Sequence, residues 1–208
     1  MEYGEKVTQA NKKQLFSIYL SSGIVSICGI VYQVLYGAVG SYLFGDGVLF
    51  YSITIGLFLM GMGIGASLSE RIHNRLISTF VQIEYLIALI GGLSTLGAFY
   101  TLAQFGTEVS QLYLYLVITL TGALTGLELP ILIRKAEEIG EESRKSVARV
   151  LLSDYGFSLI GAVGFACFYG HGLDSLRRLS LSPSLMFLLL YSSRLNSDEK
   201  STTPENTK

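Results

Sequence analysis

Glu128 lies inside an apolar run, Leu120 to Glu138 (LTGALTGLELPILIRKAEE), two residues before Pro130 and just ahead of Arg134 and Lys135. A carboxylate inside a bilayer-length apolar run costs roughly 2.5–3.5 kcal/mol at the helix centre, so such a group usually faces protein or water and has a partner. Thr121, Thr125, Glu128 and Lys135 follow spacings of four, three and seven, which place them on one helix face with Leu132 between the last two. Pro130 removes a backbone donor and leaves a carbonyl available to a partner. Two more acids, Glu84 and Asp154, sit in other apolar runs. Carboxylates withdrawn from water suit ammonium groups. The plain alternative is that Glu128 pairs with a neighbouring Arg or Lys.

The elements that position these acids are apolar helices. Half of the 208 residues are hydrophobic and 15% are charged, where a soluble domain carries about 25%; mean hydropathy is +0.49. The apolar residues form long blocks between short charged clusters. The expected fold is all-α: a polytopic membrane helical bundle of about six transmembrane helices, with both termini cytoplasmic and the lipid bilayer as its solvent. The expected location is multi-pass in a bacterial or archaeal cytoplasmic membrane. A net charge of −1 gives no basic field for nucleic acid. Cys28 and Cys167 lie in apolar runs and read as small core residues, and His73 and His171 are isolated. Neither a disulfide, a metal site nor a cofactor is expected from them. The first apolar run is too long for a cleavable signal.

In chain order, 1–14 is a polar cytoplasmic segment containing Lys6, Lys12 and Lys13, 15–193 is the transmembrane domain, and 194–208 is a disordered cytoplasmic tail. The first helix is expected from about Leu15 to Gly40, with Tyr19, Ser22, Ser26, Gly29, Gln33 and Tyr36 inward and the Ile, Val and Leu positions toward lipid. After the turn Gly45-Asp46-Gly47, the second is expected over Val48–Leu68 and the third over Leu76–Leu102, with Gln82 and Glu84 early. Gln104–Gln111 reads as a polar loop before the Glu128 helix, which starts near Leu112. Lys135–Arg149 reads as a charged, partly helical connector. The fifth helix is expected over Val150–Tyr169, with Asp154, Ser158, Gly161 and Gly164 on one face. A sixth, Leu181–Ser193, reaches bilayer length only if it starts near Leu173, with Arg177 and Arg178 at the interface. With the N-terminus inside, thirteen of the 15 Lys and Arg fall on the cytoplasmic side. Glu84, Glu128 and Asp154 then lie about one to two turns from that side.

Gly61 to Ser67 (GMGIGAS) has the look of a nucleotide-binding glycine loop, but that motif needs a strand before it and a soluble unit around it. Inside an apolar helix, Gly61-x-x-x-Gly65 and Gly122-x-x-x-Gly126 instead allow helices to approach closely, and Gly161 reads the same way. No Ser/His/Asp set, Cys/His set or metal spacing is present, so no catalytic residue is assigned. The thirteen tyrosines fit interfacial and core positions.

Five stretches taken in order carry a resemblance: Ser21 to Gly45, Ile53 to Ile72, Val81 to Ser94, Leu124 to Arg134 and Leu151 to Phe165. Together they resemble the membrane-spanning region of membrane-bound spermidine synthase-like proteins, relatives of the polyamine aminopropyltransferases. The resemblance covers about residues 15–180 and implies that Glu84, Glu128 with Pro130, and Asp154 occupy that family's characteristic acidic positions. Those relatives carry a soluble Rossmann-like aminopropyltransferase domain after the last helix, and these 208 residues hold no such domain. The resemblance therefore implies the membrane fold and a polyamine-like ligand class. Aminopropyl transfer is not expected of this stretch by itself.

Two functions compete on this reading. In the first, the bundle binds or moves a cationic solute, a polyamine or another cation, through Glu84, Glu128 and Asp154, with Thr125, Ser158 and Gln33 as neighbouring polar ligands. In the second, it is a non-catalytic membrane anchor or accessory subunit for a separately encoded, soluble synthase-like partner or another complex. Six small helices also make half of a pore, so a homodimer is an expected assembly.

Overall fold

Three short breaks set the helix boundaries. Gly45 has φ +92°, and Asp46 caps the next helix by accepting the Leu49 amide at 3.0 Å. Gly106, with φ +85°, is the single residue between the third and fourth helices. Gly140, with φ +101°, ends the fourth. Positive φ costs glycine little, so each break is short and sharp. The computed structural model describes residues 2–72 and 75–169, with side chains over 12–72 and 75–167.

The described chain is helical: α1 Glu2–Phe44, α2 Gly47–Ser69, α3 Leu76–Phe105, α4 Thr107–Glu138 and α5 Ser143–Tyr169. The expected sixth helix, Arg177, Arg178, His73, His171 and the 194–208 tail lie outside the described residues. All five helices are long and apolar enough to cross a membrane.

Two segments depart from the sequence reading, and the expected partly helical connector is found. The 2–14 segment, expected as a polar lead-in to a helix starting near Leu15, is helical and continuous with α1. The polar loop expected over Gln104–Gln111 is helical except at Gly106. Glu108 sits in the first turn of α4, where a negative charge complements the positive helix end. The Lys135–Arg149 connector is helical except for 139–142. There the charges pair locally: Lys135 with Glu138 at 2.8 Å, Lys145 with Glu142 at 2.9 Å, and Arg149 with Glu141.

The packing partners were not legible from periodicity. α1 touches every other described helix and is the centre of the bundle. Val25, Cys28, Val31, Leu35 and Val39 are buried, so these positions expected to face lipid face protein, whereas Leu20 is exposed and Ile24, Ile27, Ile30 and Val34 are half-buried. α2 packs most extensively on α4, and the two run parallel: Phe58 lies beside Gly122 and Met62 beside Gly126. α1 and α5 are also parallel, with Gly23 against Phe157 and Gly161 against Ile27 and Ile30. α3 and α4 form an antiparallel hairpin, closed where Ser110 Oγ donates to the Ala98 carbonyl at 2.9 Å. The large buried side chains include Tyr36, Phe80, Leu114, Ile118 and Ile131. α5 turns Leu152, Leu159, Ile160 and Val163 outward.

Candidate functional site

The glycine pairs determine how close α2 and α4 come. A Cβ at Gly61 would overlap the Thr119 carbonyl oxygen, and one at Gly65 the Ala123 carbonyl oxygen. From the other side, a Cβ at Gly122 or Gly126 would overlap the carbonyl oxygens of Phe58 or Met62. With the two backbones in contact there, α4 is held with Glu128 turned into the bundle and α2 presents Met62 beside it.

Glu128 is 2% exposed, and so is Glu84 on α3. The two carboxyl groups are neighbours across the α3–α4 interface, and Asp154 on α5 lies within electrostatic range of Glu128. Counted along each helix from its end near the 70–75 and 139–142 turns, Glu84, Glu128 and Asp154 lie about 12, 15 and 16 Å in, at 1.5 Å per residue. Neither oxygen of Glu128, nor Oε1 of Glu84, meets a hydroxyl, amide or cationic donor; the polar neighbour of each carboxyl is the other. An enclosed pair of carboxylates without donors is costly, and the deficit is met by a proton or by a cation.

The pairing of Glu128 with a nearby Arg or Lys, expected as the plain alternative, is not found among the described residues. Arg134 is engaged elsewhere: Nη1 donates to the Ile72 carbonyl at 2.6 Å, Nη2 to the Ser69 carbonyl at 2.7 Å and to Ser69 Oγ at 2.9 Å, and Nε to the Pro130 carbonyl at 3.2 Å. The Ser69 carbonyl ends α2 and carries partial negative charge, Ile72 lies in the turn beyond it, and a guanidinium fork suits both carbonyls at once. Lys135, the other basic neighbour, is turned to Glu138.

A cavity of about 20 Å³ opens beside Glu128, lined by Ser22 and Val25 of α1, Met62 of α2, Thr125 of α4 and Asp154 of α5. Ser22 is 2% exposed and its Oγ has no partner; Thr125 Oγ1 is likewise buried without one. Asp154 is half-buried and accepts a hydrogen bond from Ser26 Oγ, which also reaches the Ser22 carbonyl at 2.7 Å. Of the residues singled out in the sequence, Glu128, Thr125 and Asp154 share this cavity, and Glu84 backs Glu128 from α3. Gln33 and Ser158 are half-buried and do not line it. Gly161 sits away from the cavity, against Ile27 and Ile30.

Ser22 and Ser26 were legible as an inward pair spaced by four, but nothing in the sequence tied them to Asp154. A second polar contact, Tyr36 Oη with Thr121 Oγ1 at 3.0 Å, joins α1 to α4 nearer the middle of the bundle. Among the described residues, no three His, Cys, Asp or Glu side chains are arranged to hold a metal ion.

A polyamine aminopropyltransferase of Oceanobacillus iheyensis is 59% identical over 148 residues, which is 71% of this chain and 29% of that protein. This chain is similar to one stretch of the polyamine aminopropyltransferases. A polyamine aminopropyltransferase of Leptospira interrogans is 36% identical over 161 residues, 77% of this chain and 32% of its own length. Polyamine aminopropyltransferase 1 of Streptomyces coelicolor is 32% identical over 157 residues, 74% of this chain and 29% of its own length. The chain thus spans under a third of the length of these curated relatives. No family model matches it. No solved structure matches it.

Proposed function

We propose that this chain is a membrane-embedded helical module that binds or moves a cationic solute through Glu84, Glu128 and Asp154. The observation that carries this reading is Glu128: a buried carboxyl with no donor on either oxygen, between two other acids in an apolar bundle. The outward Leu, Ile and Val of α5, and similar faces on α2 and α3, suit lipid acyl chains far better than water. On this reading the protein is multi-pass, with the Lys- and Arg-rich ends cytoplasmic in a bacterial or archaeal membrane. The relatives' name points to polyamines as the cation class.

The test is uptake or binding of labelled spermidine by the full chain in proteoliposomes, compared with Glu84→Gln, Glu128→Gln and Asp154→Asn. Saturable activity lost in Glu128→Gln supports the reading. Full activity in all three variants overturns it.

The second reading is an anchor for aminopropyltransferase chemistry. It is favoured by one observation: in the relatives this stretch is under a third of a longer protein that carries that activity's name. Co-purification of a soluble synthase with the chain, undisturbed by the three neutralising substitutions, would favour it.

A further inference from the structure

We propose that the cavity between Ser22, Thr125, Glu128 and Asp154 is a binding site for one bare monovalent cation of sodium-ion size. This deepens the cation reading above, on which it rests, by naming the occupant of the site in this conformation.

Size decides first. Pockets for small organic ligands run to about 300–1,000 Å³, whereas one water needs a cavity of only about 10–15 Å³. A cavity of about 20 Å³ therefore takes one water-sized occupant and not a polyamine chain. The donor set decides next. Ser22 Oγ and Thr125 Oγ1 are buried without partners, Glu128 has the Glu84 carboxyl as its polar neighbour, and all three residues line the cavity. Asp154, which accepts from Ser26 through Oδ1, adds a second carboxyl group to the lining. These are hard oxygen ligands, and they come from α1, α4 and α5.

A proton shared by the Glu84–Glu128 pair would meet the need of that pair and leave the cavity-lining hydroxyls of Ser22 and Thr125 unmet, whereas an ion held in the cavity would draw on them as well. Calcium takes six to eight oxygens, and magnesium keeps several waters, neither of which this volume and this set provide. Glu84 is the titratable group facing Glu128 from α3, and Asp154 is the one from α5. Arg134, the nearest cation along α4, is committed to the end of α2.

The test uses the 208-residue chain in nanodiscs at alkaline pH, melted in rising NaCl with choline chloride holding ionic strength constant. Parallel series use LiCl, KCl, spermidine and falling pH. A saturable rise in Tm with sodium, not matched by choline, is expected. It should vanish in Glu128→Gln, and its midpoint concentration should rise about tenfold or more in Ser22→Ala and in Thr125→Val. Ser22 Oγ makes no hydrogen bond, so a purely structural role predicts no change in Ser22→Ala; that variant keeps the test open should Glu128→Gln not fold. A Glu128-dependent rise with spermidine but not sodium overturns this proposal and leaves the cation reading standing. A Glu128-dependent rise with falling pH alone makes the occupant a proton and overturns it too. No Glu128-dependent response to any of them overturns both.

Discussion

Gly65 of α2 packs so closely on Ala123 of α4 that a single Cβ at position 65 would overlap the Ala123 carbonyl oxygen. The neighbouring atoms are backbone and cannot swing away. Gly65→Ala should therefore force α2 off α4 and destabilise the bundle by about 1–3 kcal/mol, with larger residues costing more. Gly56→Ala and Gly63→Ala are the controls, because nothing lies within 4 Å of a Cβ at either position. Melting in detergent should separate the two groups, and equal Tm values for Gly65→Ala and Gly63→Ala would contradict this packing.

Arg134 ties α4 to the C-terminal end of α2 through Ser69 and Ile72. Arg134→Ala strips charged donors from these carbonyls and should cost roughly 1.5–3 kcal/mol. Arg134→Lys should recover only part, because a lysine has no planar fork to reach two carbonyls together. The readout is Tm together with protease cleavage near Arg71, which should rise as the end of α2 frays.

Tyr36 and Thr121 are in buried hydrogen-bond contact at 3.0 Å, with Ser94 as a further polar neighbour of the Tyr36 hydroxyl. Tyr36→Phe leaves the threonine hydroxyl buried without its partner and should cost about 1–3 kcal/mol. Thr121→Val in the Tyr36→Phe background should then cost less than Thr121→Val alone. A double-mutant cycle checks this, and strictly additive losses would mean that the contact contributes nothing.

Ser26 supports Asp154 from α1. Ser26→Ala removes the donor and should lower stability by about 1.5–3 kcal/mol if Asp154 is charged. Ser26→Ala combined with Asp154→Asn should show less than the sum of the single losses. Additive losses in that cycle would show that the two side chains do not act together.

The outward face of α5 gives a test of the membrane reading itself. Leu159 is 66% exposed in the bundle. Leu159→Arg on a lipid-facing surface should cost about 2.5–3.5 kcal/mol in insertion. Measured as the membrane-inserted fraction in a translocation assay, it should fall clearly. An unchanged fraction would mean that this face meets protein or water.

Helix existence was legible because long apolar runs announce themselves by composition alone. Helix ends were legible where glycine punctuates the chain, at Gly45 and Gly47, although α1 runs to Phe44 and past its expected end at Gly40. They were missed at Gln104–Gln111, where polar residues suggested a loop. A single glycine with positive φ turns the chain there, so both helices keep their terminal polar turns. Periodicity also misjudged part of α1: a helix that touches four others buries Val25, Val31, Leu35 and Val39 along with Ser22, Ser26 and Tyr36, so its apolar positions are not all outward.

The sequence by itself determined that this chain is helical and apolar, that three acids interrupt the apolar runs, and that glycines spaced by four recur on α2 and α4. Those are properties of single segments, set by residue type and by the helical repeat. Only the tertiary structure decided which segments meet. It turned Arg134 away from Glu128 to the end of α2, brought Ser22, Thr125 and Asp154 from three helices to one water-sized cavity, and placed Glu84 behind Glu128. Helix pairing depends on shape complementarity between faces far apart in the chain, and no spacing within one helix encodes its neighbour.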